Sequence, residues 1–141
     1  GIRGVSGIHR GNRWSRDRGY FAHAHEDICV IVQIETPQAV TAIPEFGTVE
    51  GLDAMFIGPN DLASNMGHLG NVGHPEVTSA ISEALDRVRA TGKAAGILNF
   101  DPAAAGRLLA QGFTFAAIGS DATALLRSFE PMIATTLGAA G

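Results

Sequence analysis

Two acidic residues stand where apolar strands run out. Ala54 to Ile57 is an apolar run cut by Gly58-Pro59, and the next polar side chains are Asn60 and Asp61. Glycine lets the backbone approach a ligand closely and proline denies a further ladder bond, so the strand stops where the carboxylate begins. Ile28 to Glu35 repeats the pattern: an apolar strand that ends on an acid and is followed by Thr36-Pro37. Hard divalent cations such as Mg²⁺ take oxygen ligands and often only one or two protein carboxylates, leaving positions for water and substrate. Taken singly, Glu35 could pair with an arginine and Asp61 could cap the helix expected after it. Taken together, at equivalent strand ends beside proline turns, they point to a metal site.

Gln33 lies two residues before Glu35, so on a strand the two share a face. Its amide either meets a ligand or makes a structural hydrogen bond in the interior. The turn from Gly58 to Leu62 offers successive backbone N–H groups to an anion, as any helix start does. His23 and His25 sit in a polar helix or loop, and His74-Pro75 leads into a helix. His9, His68, Arg10, Arg13, Arg16 and Arg18 could line a rim for an acidic substrate, or belong to a solvated loop. The single Cys29 reads as a buried, inert thiol within a strand, which suits a cytoplasmic setting. No Ser/His/Asp triad or zinc-type cluster stands at recognisable spacing.

These residues must be positioned by a core, and the composition permits one. The chain has 141 residues, 45% hydrophobic and 17% charged, with a net charge of −4. That excludes disorder, and the absence of any basic excess argues against nucleic acid as partner. No apolar segment approaches the ~18 residues of a membrane span. The expected elements are a short strand over 1–5, a long loop over 6–19, a helix over 20–27 and a strand over 28–35. A helix from Thr36-Pro37 to about Ile43, a loop holding Pro44 and Gly47, and the strand 54–57 come next. A short helical turn over 62–66 precedes a glycine-marked loop. Pro75 opens a helix with Val77, Ile81, Leu85 and Val88 at helical spacing, ended by Gly92. A strand over 95–98, a helix from Asp101-Pro102 to Gln111, a strand over 115–118 and a helix from Asp121 complete the chain. Apolar strands alternating with helices mean a parallel sheet covered by helices. An open doubly wound sheet and a (β/α)₈ barrel both fit. A full barrel needs about 250 residues, so on the barrel reading the chain holds about the last five of eight strands.

Several motifs occur in one order: Gly1-Ile-Arg-Gly-Val5, Val32-Gln-Ile-Glu-Thr36, Phe56-Ile-Gly-Pro-Asn-Asp-Leu62, Gly67-His-Leu-Gly-Asn71, His74-Pro-Glu-Val77, Gly92-Lys93, Gly96-Ile-Leu98 and Ile118-Gly-Ser-Asp121. Together they resemble the class II pyruvate-dependent (hydroxy-oxo-acid) aldolases of the HpcH/HpaI type, essentially end to end. The family includes 2-dehydro-3-deoxyglucarate aldolase and 4-hydroxy-2-oxoheptanedioate aldolase, and two motifs lean towards the former. The resemblance implies a (β/α)₈ barrel whose C-terminal part is residues 1–141, a divalent metal (Mg²⁺, or Mn²⁺ or Co²⁺) held by Glu35 and Asp61, and a 2-oxo acid and an aldehyde as small-molecule partners. It further implies pyruvate binding through Gln33 and the main-chain N–H groups of Asn60 and Asp61, and an aldehyde pocket at Leu98. Cleavage of the 4-hydroxy-2-oxo acid would pass through a metal-stabilised pyruvate enolate. Asn60 departs from the small residue usual at its position. The family's base histidine and its arginine belong to earlier strands, so no catalytic acid or base is expected in this chain. A homo-oligomer, hexameric by resemblance, is implied too. An acyl-thioester lyase on the same barrel, or a non-catalytic metal- and pyruvate-binding module, are the alternatives.

Overall fold

Four helices open in the same way, with proline in their first turn. Proline there loses no hydrogen bond that the helix would have made, and its fixed φ is already helical. The computed structural model describes residues 4–138. In chain order the elements are a 3₁₀ turn Arg10–Asn12, α1 Tyr20–Asp27, β1 Ile31–Ile34, α2 Pro37–Gly47, β2 Ala54–Ile57, α3 Pro59–Asn65, α4 Pro75–Ala90, β3 Ala94–Leu98, α5 Pro102–Gln111, β4 Phe115–Ala117 and α6 Asp121–Leu137. Thr36, His74 and Asp101 cap α2, α4 and α5 by accepting a backbone N–H. Ser120 and Thr123 close a reciprocal capping box at the start of α6. At the far end of α5, Gly112 takes the left-handed conformation (φ 118°) that side-chain-bearing residues rarely adopt.

The four strands form one parallel sheet in the order β1-β2-β3-β4. Ile34 pairs with Ile57 and Ile57 with Ile97, and all three are buried on the face covered by helices. Met55, Ala95 and Val32 lie on that face too. They pack with Val40 and Ile43 of α2 and with Val77, Ala84, Leu85 and Val88 of α4. The opposite face carries a second row, Gln33, Phe56, Gly96 and Phe115, set side by side by the register. Among the described residues no helix covers it: Gln33 is exposed, and Phe56 and Phe115 are half-buried with ring centroids 5.8 Å apart.

Several expectations need correction. Of the strand expected over 1–5, residues 1–3 lie outside the described residues, and Gly4 and Val5 are irregular. Four strands are therefore seen among the described residues rather than five. β1 begins at Ile31, so Cys29 lies before the strand and is exposed, contrary to the buried thiol expected. Its neighbours Ile28 and Val30 are exposed as well, because β1 is an edge strand with one face uncovered. α2 continues past Ile43 through Pro44 to Gly47. Pro44 faces solvent, so its ring meets no neighbouring element and only one ladder bond is lost. α3 starts at Pro59 rather than Leu62, which puts Asn60 and Asp61 inside its first turn. No helix among the described residues is long and apolar enough to cross a membrane.

Gly96 is the tightest point of the open face, since a Cβ there would run into the rings of Phe115 and Phe56. Gly96→Ala is expected to cost about 1–3 kcal/mol by overpacking. Gly106→Ala, in α5 with open space around it, should instead stabilise by about 0.5–1 kcal/mol. Urea-unfolding midpoints of the two variants should therefore move in opposite directions.

Candidate metal centre

The register that pairs Ile34 with Ile57 makes the following residues, Glu35 and Gly58, neighbours at the carboxyl ends of β1 and β2. Their contact is close. A Cβ on Gly58 would stand 2.9 Å from both Cγ and Oε1 of Glu35, so a side chain there would push the Glu35 carboxylate aside. Gly58 is also the residue from which α3 springs, as its N-cap. Asp61 follows in the first turn, where a carboxylate is favoured by the positive end of the helix. Glu35 is half-buried and Asp61 exposed. Both expected ligands thus emerge at the same end of adjacent, paired strands.

A third residue ties them together. Asn65, at the end of α3, donates through Nδ2 to the main-chain oxygen of Glu35 (3.1 Å) and to that of Asp61 (2.9 Å). One side chain therefore fixes the end of β1 to the helix that carries Asp61. Nothing local in the sequence marks this role, because the bond to Glu35 spans 30 residues. Gln33 lies on the face shared with Glu35, one layer deeper, as the period of a strand requires. Leu98, half-buried at the end of β3, lies on that same face opposite Ala117. Asn60 is exposed in the first turn of α3, where the main-chain N–H groups have no partner within the helix.

A histidine pair escaped the reading of the sequence. His68 and His74 stack with ring centroids 3.6 Å apart and an interplanar angle of 16°. The His68 Nε2 lies 2.8 Å from Glu76 Oε2. His68, His74 and Glu76 offer ligand atoms within 4.8 Å of one another, so they could gather round an ion. Imidazole lone pairs lie in the ring plane, however, and two nearly parallel rings do not aim them at one point. An ion would require one ring to turn, which would break either the His68 contact with Glu76 or the His74 cap on the Glu76 N–H. As it stands the trio joins the loop after α3 to the start of α4. His68 is therefore engaged with Glu76, and His9 caps the 3₁₀ turn. His23 and His25 both lie on α1, and the hydrogen bond that His23 donates to the Asp27 carboxylate raises the pKa of His23.

Parallel strand–helix units with carboxylates at the carboxyl ends of the strands define a class of enzyme folds that gather their chemistry at that end. Residues 1–128 match the sequence model of the HpcH/HpaI aldolase/citrate lyase family, and the chain belongs to that family. It is 44% identical over 141 residues to a hydroxypyruvate/pyruvate aldolase of Pseudomonas aeruginosa, covering 99% of this chain and 53% of that protein. It is 46% identical over 135 residues to a 4-hydroxy-2-oxo-heptane-1,7-dioate aldolase of Escherichia coli, covering 95% and 52%. The chain spans about half the length of these relatives. A crystal structure of an HpcH/HpaI aldolase/citrate lyase family protein from Burkholderia cenocepacia superposes with a TM-score of 0.83 at 33% identity, over 98% of this chain and 54% of that one. The citrate synthase SbnG superposes with a TM-score of 0.73 at 30% identity, over 82% and 47%. Four strands are half of an eight-stranded barrel, in keeping with the fraction of those structures that is matched.

Asn65→Ala removes both bonds that join β1 to α3 and is expected to cost about 1 kcal/mol in urea unfolding. The hydrogen bond from His68, and then the charge of the same imidazole, hold the Glu76 carboxyl below its usual pKa. A carboxyl with a depressed folded pKa adds stability above its unfolded pKa, about 4.3 for glutamate. That contribution is lost as pH falls through the lower folded value. The acid limb of a melting-temperature profile should therefore flatten in Glu76→Gln.

Proposed function

We propose that this chain forms the metal- and pyruvate-binding part of a single aldolase barrel domain that cleaves a 4-hydroxy-2-oxo acid to pyruvate and an aldehyde. The observation that carries the reading is the pair Glu35 and Asp61 at adjacent strand ends, in a chain whose family match runs over residues 1–128. Glu35 and Asp61 would hold a divalent cation, Mg²⁺ or in its place Mn²⁺ or Co²⁺. The residues suit it: two hard oxygen donors, one of them lying against Gly58, where a side chain would displace it. When bound, such a cation acts as a Lewis acid that polarises the keto group of the substrate.

The chain's own residues then bind and orient. Gln33, below Glu35 on the uncovered face, directs its amide at the 2-oxo acid. The N–H groups of Asn60 and Asp61, in the first turn of α3, donate to the carboxylate of the substrate. Leu98 gives the aldehyde portion an apolar wall. Asn65 positions both acids through their main chain. Proton transfer falls to a histidine and an arginine from the rest of the barrel. Assembly into a homo-oligomer belongs to the same reading.

The leading substrates are 2-dehydro-3-deoxyglucarate, favoured by two sequence motifs, and 4-hydroxy-2-oxoheptanedioate, the type on which the named Escherichia coli relative acts. Pyruvate release from each, with and without Mg²⁺ or Mn²⁺, is measured on this chain and on the protein extended upstream of Gly1. Metal-dependent release is expected from the extended protein. Release from a citramalyl or malyl thioester instead would favour the acyl-thioester lyase. Glu35→Gln and Asp61→Asn should each weaken Mn²⁺ binding by at least about tenfold, the lower end of what even outer-shell changes cost. Unchanged affinity in both would remove the metal assignment.

A further inference from the structure

Four arginines fall within nine residues and, among the described residues, lack a counterion. Arg10, Arg13, Arg16 and Arg18 line a single open cavity with Trp14 and Asp17. Among the described residues no carboxylate lies within ion-pair distance of any of the four, and none donates a side-chain hydrogen bond. The one acid in the cavity is engaged elsewhere: Asp17 accepts from the Gly19 N–H at 2.9 Å and lies 3.8 Å from His23.

The loop is also held in shape, which a merely solvated segment would not need. Arg13, Trp14 and Ser15 are consecutive residues with positive φ (45°, 59° and 66°), a conformation disfavoured for any side chain but glycine. Tertiary bonds maintain it. Buried Asn12 donates through Nδ2 to the Gly7 oxygen at 2.9 Å, Ser15 Oγ donates to the same oxygen at 2.8 Å, and Trp14 N–H donates to the His9 oxygen at 3.0 Å. The strained turn places Trp14, 63% exposed, within the same cavity lining as the four arginines.

We propose that this cavity binds a small dianion, a dicarboxylate or a phosphate ester. The planar guanidinium fork matches carboxylate and phosphate oxygens in pairs, and the indole gives a bound carbon chain an apolar wall. An extended polyanion is disfavoured, since the chain as a whole carries a net charge of −4 and this loop holds only four of its ten Lys and Arg residues. The site is separate from the acid pair in residues and stands independently of the aldolase reading.

Trp14 is the only tryptophan, so intrinsic fluorescence reports on this loop directly. The chain is titrated with succinate and with inorganic phosphate at ionic strength held constant by sodium chloride, and with acetate as a monoanion control. A saturable change is expected with at least one dianion and not with acetate. The dianion that saturates at the lower concentration identifies the carboxylate or phosphate class. The double variant Arg13→Gln/Arg16→Gln should weaken this response by at least about tenfold, having lost two charge-assisted donors, with unchanged far-ultraviolet circular dichroism. Lack of saturation with both dianions, an equal response to acetate, or an unaltered curve in the double variant overturns the proposal.

Discussion

Ile57 is paired on one side with Ile34 and on the other with Ile97, and this row of three buried isoleucines fixes the register of the sheet. A slip of one residue in any strand would turn its apolar set to the uncovered face and bring Gln33 or Phe56 under the helices. Because the row holds, Glu35 must stand beside Gly58. Because Gly58 has no side chain, the carboxylate fits there and α3 departs at once, with Asp61 in its first turn. The geometry of the acid pair is therefore a consequence of apolar packing on the opposite side of the sheet.

The two faces share one physical origin and have opposite characters. On the helix side, α2 and α4 close a core with Ile34, Ile43, Met55, Ile57, Val77 and Val88, all of which exclude water. On the other side, Phe56 and Phe115 come together over Gly96 but remain half-buried, and Gln33 and Ile31 are open to solvent. A parallel sheet normally has both faces covered. In a barrel the second covering comes from the opposite strands, and the family structures matched here are about twice as long as this chain.

What could be read from the sequence was local. Thr36-Pro37 and Asp101-Pro102 announce helices by capping chemistry, and the spacing of Val77, Ile81, Leu85 and Val88 gives the buried stripe of α4. The apolar runs closed by Glu35 and by Gly58-Pro59 gave both strand ends, and with them the two acids. What escaped depends on separation along the chain or on direction in space. Asn65 acts on Glu35 across 30 residues, and the stacking of His68 on His74 depends on a loop whose path no periodicity encodes. Pro44 looked like a helix stop because local propensity opposes it, yet the packing of Ile43 and Phe46 against the core keeps the helix intact. Cys29 looked buried because it stands in an apolar run, but burial is decided by what covers a strand.

The same arrangement grades how firmly different parts of the chain hold together. β2 is hydrogen-bonded on both sides, and three of its four residues are buried. β1 and β4 have one partner each within the described residues, and α6 has no buried residue along its 17-residue length. Openings that free α6 or an edge strand expose little core, whereas freeing β2 requires global unfolding. Amide exchange protection should therefore decline outward from Met55 and Ile57. Gly58 and the start of α3, which carries Asp61, adjoin the slow centre of that gradient, Glu35 follows an edge strand, and the arginine loop lies at the fast margin.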